Sequence, residues 1–193
     1  MRLFSLFRHP ESINTYIVAP DHGSNATIID PYIFDTQTIT FLNNSKLLLK
    51  SALLTHNNFN FNTTLAIIKK IYTTDFSVLD SIIDLNFSSE PAFCETIIFN
   101  NLQFKIIDLS IDNYFQSAYK IENLLFTGTT LQAGTVGYTK NYSTKKRLCK
   151  MIKNKLLSLP DSTLVLPFNG PPTSIKIERQ FNIEFSITNQ NKS

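Results

Sequence analysis

The 193-residue sequence has no tryptophan, and it contains only two cysteines, three histidines and five glycines. Cys94 and Cys149 are far apart and form no CxxC pair. That excludes a disulfide framework of the small secreted kind, and two free thiols in a reducing cytosol are the expectation. No apolar run reaches the ~18 residues that a membrane span needs. The opening MRLFSLFRHPESIN is too short in apolar residues, and too charged at Arg8 and Glu11, for a secretory signal. A cytoplasmic location with no membrane partner follows as an expectation. Charge is also scarce, at 17% of residues, and the net value of +3 is too small to argue for nucleic acid by itself.

What is present is an ordinary 42% of hydrophobic residues, with heavy use of Asn, Ile, Lys and Phe, as in an AT-rich bacterial genome. A chain this long can build one substantial core. No repeat, Gly/Ser linker or shift in composition divides it, so a single domain over residues 1–193 is expected. Residues 1–12 would form an N-terminal strand or arm, and the polar residues 186–193 a disordered tail.

Residues 13–19, INTYIVA, read as a strand. The loop PDHGSN and a second short β run at 26–29 complete a hairpin. Helical spacing is mixed at 36–46, and the apolar run 47–54 suggests a strand covered on both faces. A helix is expected from Asn62 or Thr63, either as cap, to Tyr72, with Leu65, Ile67, Ile68 and Ile71 as its buried stripe. Short strands follow at 76–79, 97–99, 104–109, 117–121 and 124–127, with a loop at 88–91. Residues 143–159 form the clearest helix, with a Ser/Thr cap and Pro160 as its stop. A strand at 163–166 and a helix at 173–181 capped by Thr173 close the chain. Strands that mix hairpins with helical crossovers fit two sheets covered by helices.

The stretch ALLTHNNFNFN, residues 52–62, ends an apolar run in Thr-His as a metal-binding turn does, and then supplies asparagine and phenylalanine. Further on, LLFTGTTLQAGTVGYTK (124–140) resembles LFTGDTLFxGxxGRTD, and LLSLPDSTLVLPFNGPPTSIKIERQFN (156–182) resembles LLxLPDDTxVxPGHGPxTTIxxExxxNP. NTYIV…ATIIDP is similar to NCYIV…AxxIDPG, and SALLTHNNFNF to xxILxTHxHxDH. These are motifs of the metallo-β-lactamase superfamily, in its short hydroxyacylglutathione hydrolase (glyoxalase II)-like branch. The resemblance covers nearly the whole chain. It implies an α/β fold, an αββα four-layer sandwich with two mixed β-sheets flanked by helices.

The resemblance also implies a site of five His and two Asp holding one or two ions of zinc, iron or manganese, whose bound water is the nucleophile. Residue by residue, those positions are His56, Asn58, Asn60, Phe61, Asn113 (in DNYFQSA), Thr129 and Asn169. Only His56 keeps a ligand. A lone imidazole falls short of the roughly 10–16 kcal/mol that about four ligands together supply to a structural zinc. Asparagine carbonyls suit hard cations better than zinc. No cofactor is therefore expected.

Asp30 and the turn glycines Gly128, Gly134, Gly137 and Gly170 match backbone devices of the same family. His9 and His22 read as surface residues. A Ser117–His56 or Thr129–His56 pair is the remaining route to nucleophilic chemistry, with Thr130 and Tyr138 expected nearby. The basic run with Lys140, Lys145, Lys146, Arg147, Lys150, Lys153 and Lys155 contains no acid. It reads first as a solvated helix face and second as a nucleic-acid footprint.

The leading expectation is a metal-free, hydrolytically inactive homologue that serves as a binding or scaffold module for a small polar ligand or a protein partner. A thioester or ester hydrolase with an altered site is the alternative, and a nucleic-acid-binding module is the third reading.

Overall fold

A computed structural model describes residues 1–72, 77–79, 96–112 and 114–186. Contacts divide the described residues into two compact units, one of residues 1–72, 77–79 and 96–104 and one of 105–112 and 114–186.

The first unit contains β1 (Arg2–Arg8), β2 (Ile13–Ala19), β3 (Asn25–Ile29), α1 (Thr36–Asn44), β4 (Leu48–Leu53), α2 (Phe59–Ile71) and β5 (Ser77–Leu79). Its sheet has the order β1-β2-β3-β4-β5. β1, β2 and β3 pair antiparallel, while β3–β4 and β4–β5 pair parallel. The β2–β3 hairpin is the one the sequence suggests. Every residue of β2 is buried, as a central strand with both faces covered requires.

β4 departs from the expectation of a run covered on both faces, because Leu48 is exposed. Its lysine has a structural reason. Ala26 pairs with Leu49 and Thr27 with Ser51, so Lys50 is the extra residue of a β-bulge and leaves the ladder.

α2 starts earlier than expected. Asn58, not Asn62 or Thr63, is the cap, with its side-chain oxygen accepting from the Asn60 amide. The buried stripe is Phe61, Thr64, Leu65 and Ile68, while Ile67 and Ile71, expected in it, are exposed. Of the strand expected at 76–79, Phe76 lies outside the described residues, as do the loop at 88–91 and residues 187–193 of the expected tail; its first residue, Ser186, is instead the end of a short helix.

The remaining strands are β6 (Thr96–Phe99), β7 (Leu102–Asp108), β8 (Ser117–Ile121), β9 (Leu124–Gly128), β10 (Leu131–Gln132), β11 (Thr135–Val136), β12 (Leu164–Pro167) and β13 (Thr173–Ser174). The helices are α3 (Tyr142–Lys155), α4 (Ile175–Phe181) and α5 (Ile183–Ser186). A six-stranded sheet runs β13-β12-β9-β8-β7-β6, and β10 pairs with β11 alone. β12 lies parallel to β9, while β13–β12, β9–β8 and β8–β7 are antiparallel.

The second unit's core joins Ala118, Leu125 and Val165 of the sheet to Leu148 and Ile152 of α3, Ile175 of α4 and Phe185 of α5. α3 is capped by Asn141 and ends at Lys155, so neither its Ser/Thr cap nor its extension to residue 159 holds. α4 is capped by Ser174, whose hydroxyl accepts from the Ile177 amide, while the Thr173 hydroxyl donates to the Glu178 carboxylate instead. The sequence reading did not anticipate α5. Among the described residues no helix is long and apolar enough to cross a membrane.

Candidate functional site

β3 and β4 end side by side, and their ends position His56, the only histidine among the seven positions that the resemblance implies. Asp30 follows β3 with φ 50° and is buried. Its amide donates to the Leu53 carbonyl at 3.0 Å. Its carboxylate accepts from the Thr55 amide at 2.8 Å and from the Thr55 hydroxyl at 2.7 Å. The same hydroxyl lies 2.8 Å from Nδ1 of His56, which is itself buried.

A hydroxyl has one proton to give. When Asp30 is ionised and takes it, Nδ1 of His56 must carry the proton of the second bond. When Asp30 is protonated, the hydroxyl can donate to Nδ1 instead. Asp30, Thr55 and His56 thus form a buried chain whose proton arrangement sets the imidazole tautomer. Burial pushes the Asp30 carboxyl up to about 7, against the two Thr55 hydrogen bonds that lower it. Burial pulls His56 down to about 4. Burial, and then the charge of Asp30, raise Tyr16 as well.

The rest of the turn serves the fold. Asn58 accepts from the Asn60 amide at 3.0 Å and caps α2, a use of its carbonyl oxygen that satisfies a helix-end donor. Phe61 is 1% exposed and meets the His56 ring edge-on at 5.1 Å. Asn60 is half-buried in the first turn of α2.

In the second unit, Thr129 sits in the turn after β9, where its hydroxyl accepts from Nε2 of Gln116 at 3.4 Å. Gly137 makes that turn possible: a Cβ there would stand 2.2 Å from the Thr129 carbonyl oxygen. Asn169 is half-buried beyond β12. Asn113 lies outside the described residues.

Thr130 donates to the Thr127 carbonyl, and Tyr138 is 92% exposed. The Ser117 hydroxyl is buried with no hydrogen-bond partner among the described residues, so no base activates it there. The secondary candidates belong to different units, His56 to the first and Ser117 and Thr129 to the second.

The second unit also has a pocket of about 340 Å³, floored by Ile111 and Leu148 and walled by Tyr114, Gln116, Tyr138 and Lys140. The Lys140 ammonium lies 5.2 Å from the centre of the Tyr114 ring. Asp112 lines it too, paired with Arg147 at 2.7 Å. The sequence reading missed Thr55, Tyr114 and Gln116, although all three stand in motifs quoted above. His9 and His22 are exposed, as expected.

A zinc, iron or manganese centre needs several imidazoles and carboxylates converging on one point. Among the described residues, no group of three or more His, Cys, Asp or Glu is placed to hold an ion. The side chains at the corresponding positions do not fit such a centre: one amide caps a helix, one ring fills the core, and one hydroxyl bonds a glutamine.

No protein-family model matches the chain. An uncharacterized protein of Mycobacterium tuberculosis is 41% identical over 68 residues, which is 35% of this chain and 30% of that protein's length. The chain therefore aligns with under a third of the curated relative. Among solved structures, the BLEG-1 B3 metallo-β-lactamase superposes with a TM-score of 0.79 at 21% identity, covering 96% of this chain and 100% of that one. ETHE1 from Myxococcus xanthus superposes with a TM-score of 0.77 at 21% identity, covering 100% and 92%. The fold is the metallo-β-lactamase α/β fold, with mixed sheets flanked by helices, and the neighbours that share it belong to that superfamily.

Proposed function

We propose that this protein is a non-hydrolytic homologue of the metallo-β-lactamase and glyoxalase II-like hydrolases that works as a binding module. One observation carries the reading. At the ligand positions, Asn58 and Phe61 have structural tasks that a metal ligand could not share: the first caps α2 and the second is sealed in the core. The pocket beside Tyr114 and Lys140 is the candidate binding site. Its size falls within the range of ligand pockets. Its aromatic walls, amide and single unpaired-by-acid cation suit a small polar ligand with one anionic group.

The test is elemental mass spectrometry on untagged protein purified without chelator. Zinc, iron and manganese well below one equivalent per chain are expected. One or two equivalents would overturn the reading and restore a metal-dependent hydrolase.

A second reading rests on the Asp30–Thr55–His56 chain, which orients an imidazole as a hydrolase would orient a base. Its magnitude counts against it. A base held near 4 is neutral at pH 7 but has little drive to take a proton, where a value near the working pH serves best. Hydrolysis of a thioester or activated ester lost in His56→Gln would favour it.

A further inference from the structure

The cations of the 140–155 segment divide sharply once their partners are known. Lys140 rests on the Tyr114 ring, Lys145 pairs with Glu184 at 2.6 Å, Arg147 pairs with Asp112, and Lys155 donates to the Asp108 carbonyl. Lys146, Lys150 and Lys153 remain. All three are exposed, and none has a hydrogen bond or ion pair among the described residues. The three line one groove of about 420 Å³ between α3 and α5, with Phe185 and Cys149 in its wall. Glu184 is the one acid in that lining, and Lys145 already neutralises it.

Tyr142, the first residue of α3, is 81% exposed. It stands four residues before Lys146, which stands four before Lys150 and seven before Lys153. At 3.6 residues per turn, these four positions fall within about 80° of arc. They form one straight line on the helix surface, an aromatic ring followed by three unpaired ammonium groups, roughly 16 Å long at ~1.5 Å per residue. A protein that holds single-stranded nucleic acid without reading its sequence needs this combination: cations that follow the phosphates and a flat ring on which a base stacks. An acidic peptide would use the lysines but has no call on the exposed ring.

We propose that Tyr142, Lys146, Lys150 and Lys153 form a docking face for single-stranded nucleic acid, with phosphates on the lysines and a base stacked on Tyr142. The face is separate from the Tyr114 pocket and does not depend on the presence or absence of a metal.

The experiment is fluorescence anisotropy of a labelled 12-mer oligothymidylate with the full chain between about 20 and 200 mM salt. Three phosphate contacts predict a log–log salt slope of about −2. Lys146→Gln/Lys150→Gln/Lys153→Gln should weaken binding more than tenfold and flatten the slope. Tyr142→Ala should weaken it about tenfold with the slope unchanged. A control that removes the same charge elsewhere, Lys69→Gln/Lys70→Gln/Lys176→Gln, should stay within about twofold of the parent. All the substituted residues are exposed, so folding is not at risk. No binding at the lowest salt, or binding retained in the α3 triple variant, overturns the proposal. So does displacement of the probe by polyglutamate at equal charge concentration together with no effect of Tyr142→Ala, which would mark an acidic-peptide face.

Discussion

The carboxylate of Asp30 grips Thr55 twice, at the amide and at the hydroxyl, and so ties the end of β3 to the residue that orients His56. Two buried groups with opposite displacements therefore lie on one hydrogen-bonded chain. Asp30 is raised to about 7 in the folded protein, so between its unfolded value of about 3.9 and 7 the native state holds more protons and stability falls as pH rises. His56 is lowered to about 4, so between 4 and its unfolded value of about 6.5 the unfolded state holds more protons and stability rises with pH. The two trends oppose each other across the same window. Urea unfolding between pH 4.5 and 6.5 should show Asp30→Asn gaining stability with pH and His56→Gln losing it, each by up to about 1.4 kcal/mol per pH unit. Parallel slopes in the two variants would contradict the assignment.

Glu178 is fully buried and its carboxylate gathers three donors: the Thr173 hydroxyl at 2.8 Å, the Gly134 amide at 3.0 Å and the Asn182 side-chain amide at 2.7 Å. It ties the loop between β10 and β11 to α4. Glu178→Ala leaves these donors without their acceptor and should destabilise the chain by about 3 kcal/mol or more in urea unfolding. Glu178→Gln keeps the shape but replaces an acceptor with an amide donor, and should lose about 1–3 kcal/mol.

Gly137→Ala places a methyl group against the Thr129 carbonyl, which is backbone and cannot swing aside. The turn must shift, and thermal unfolding should report a loss of about 1–3 kcal/mol or more. A change within about 0.5 kcal/mol would mean that the turn is looser than its geometry implies.

At the head of α2, Asn58→Ala should lose about 1 kcal/mol and Asn58→Asp should retain the parent stability, because aspartate caps as well and favours a helix N-terminus. Equal losses in both variants, measured by urea unfolding, would show that the cap geometry is not what keeps this residue.

Much of this was legible in the residues. The β2–β3 hairpin followed from alternation and turn chemistry, and the order of motifs led to the fold that the neighbours share. The seven positions that the resemblance implies could be numbered because the motifs around them are readable in the sequence. Helix starts were not legible, because Asn58, Asn62 and Thr63 are all competent caps by residue type, and the one used is shown by the Asn58 side chain accepting from the Asn60 amide. Thr173 lost its expected cap role to Ser174 because its hydroxyl is engaged by the buried Glu178 carboxylate, a partner five residues on that the cap rules do not foresee. Thr55 stood in view beside His56, but its bridging hydroxyl depends on Asp30, which is distant in sequence and close only through the parallel pairing of β3 and β4.

The burial of Phe61 also bears on how a metal site could arise here. A histidine placed at that position would exchange a core ring for a polar one and forfeit part of the several kcal/mol that a buried Phe contributes. Asn58→His would remove the helix cap at the same time. Neither step gains metal affinity until the other ligands are also in place. Each single substitution toward a metal site is therefore a descent in stability with nothing yet to offset it, and the present turn acts as a ratchet against acquiring one by point mutation alone.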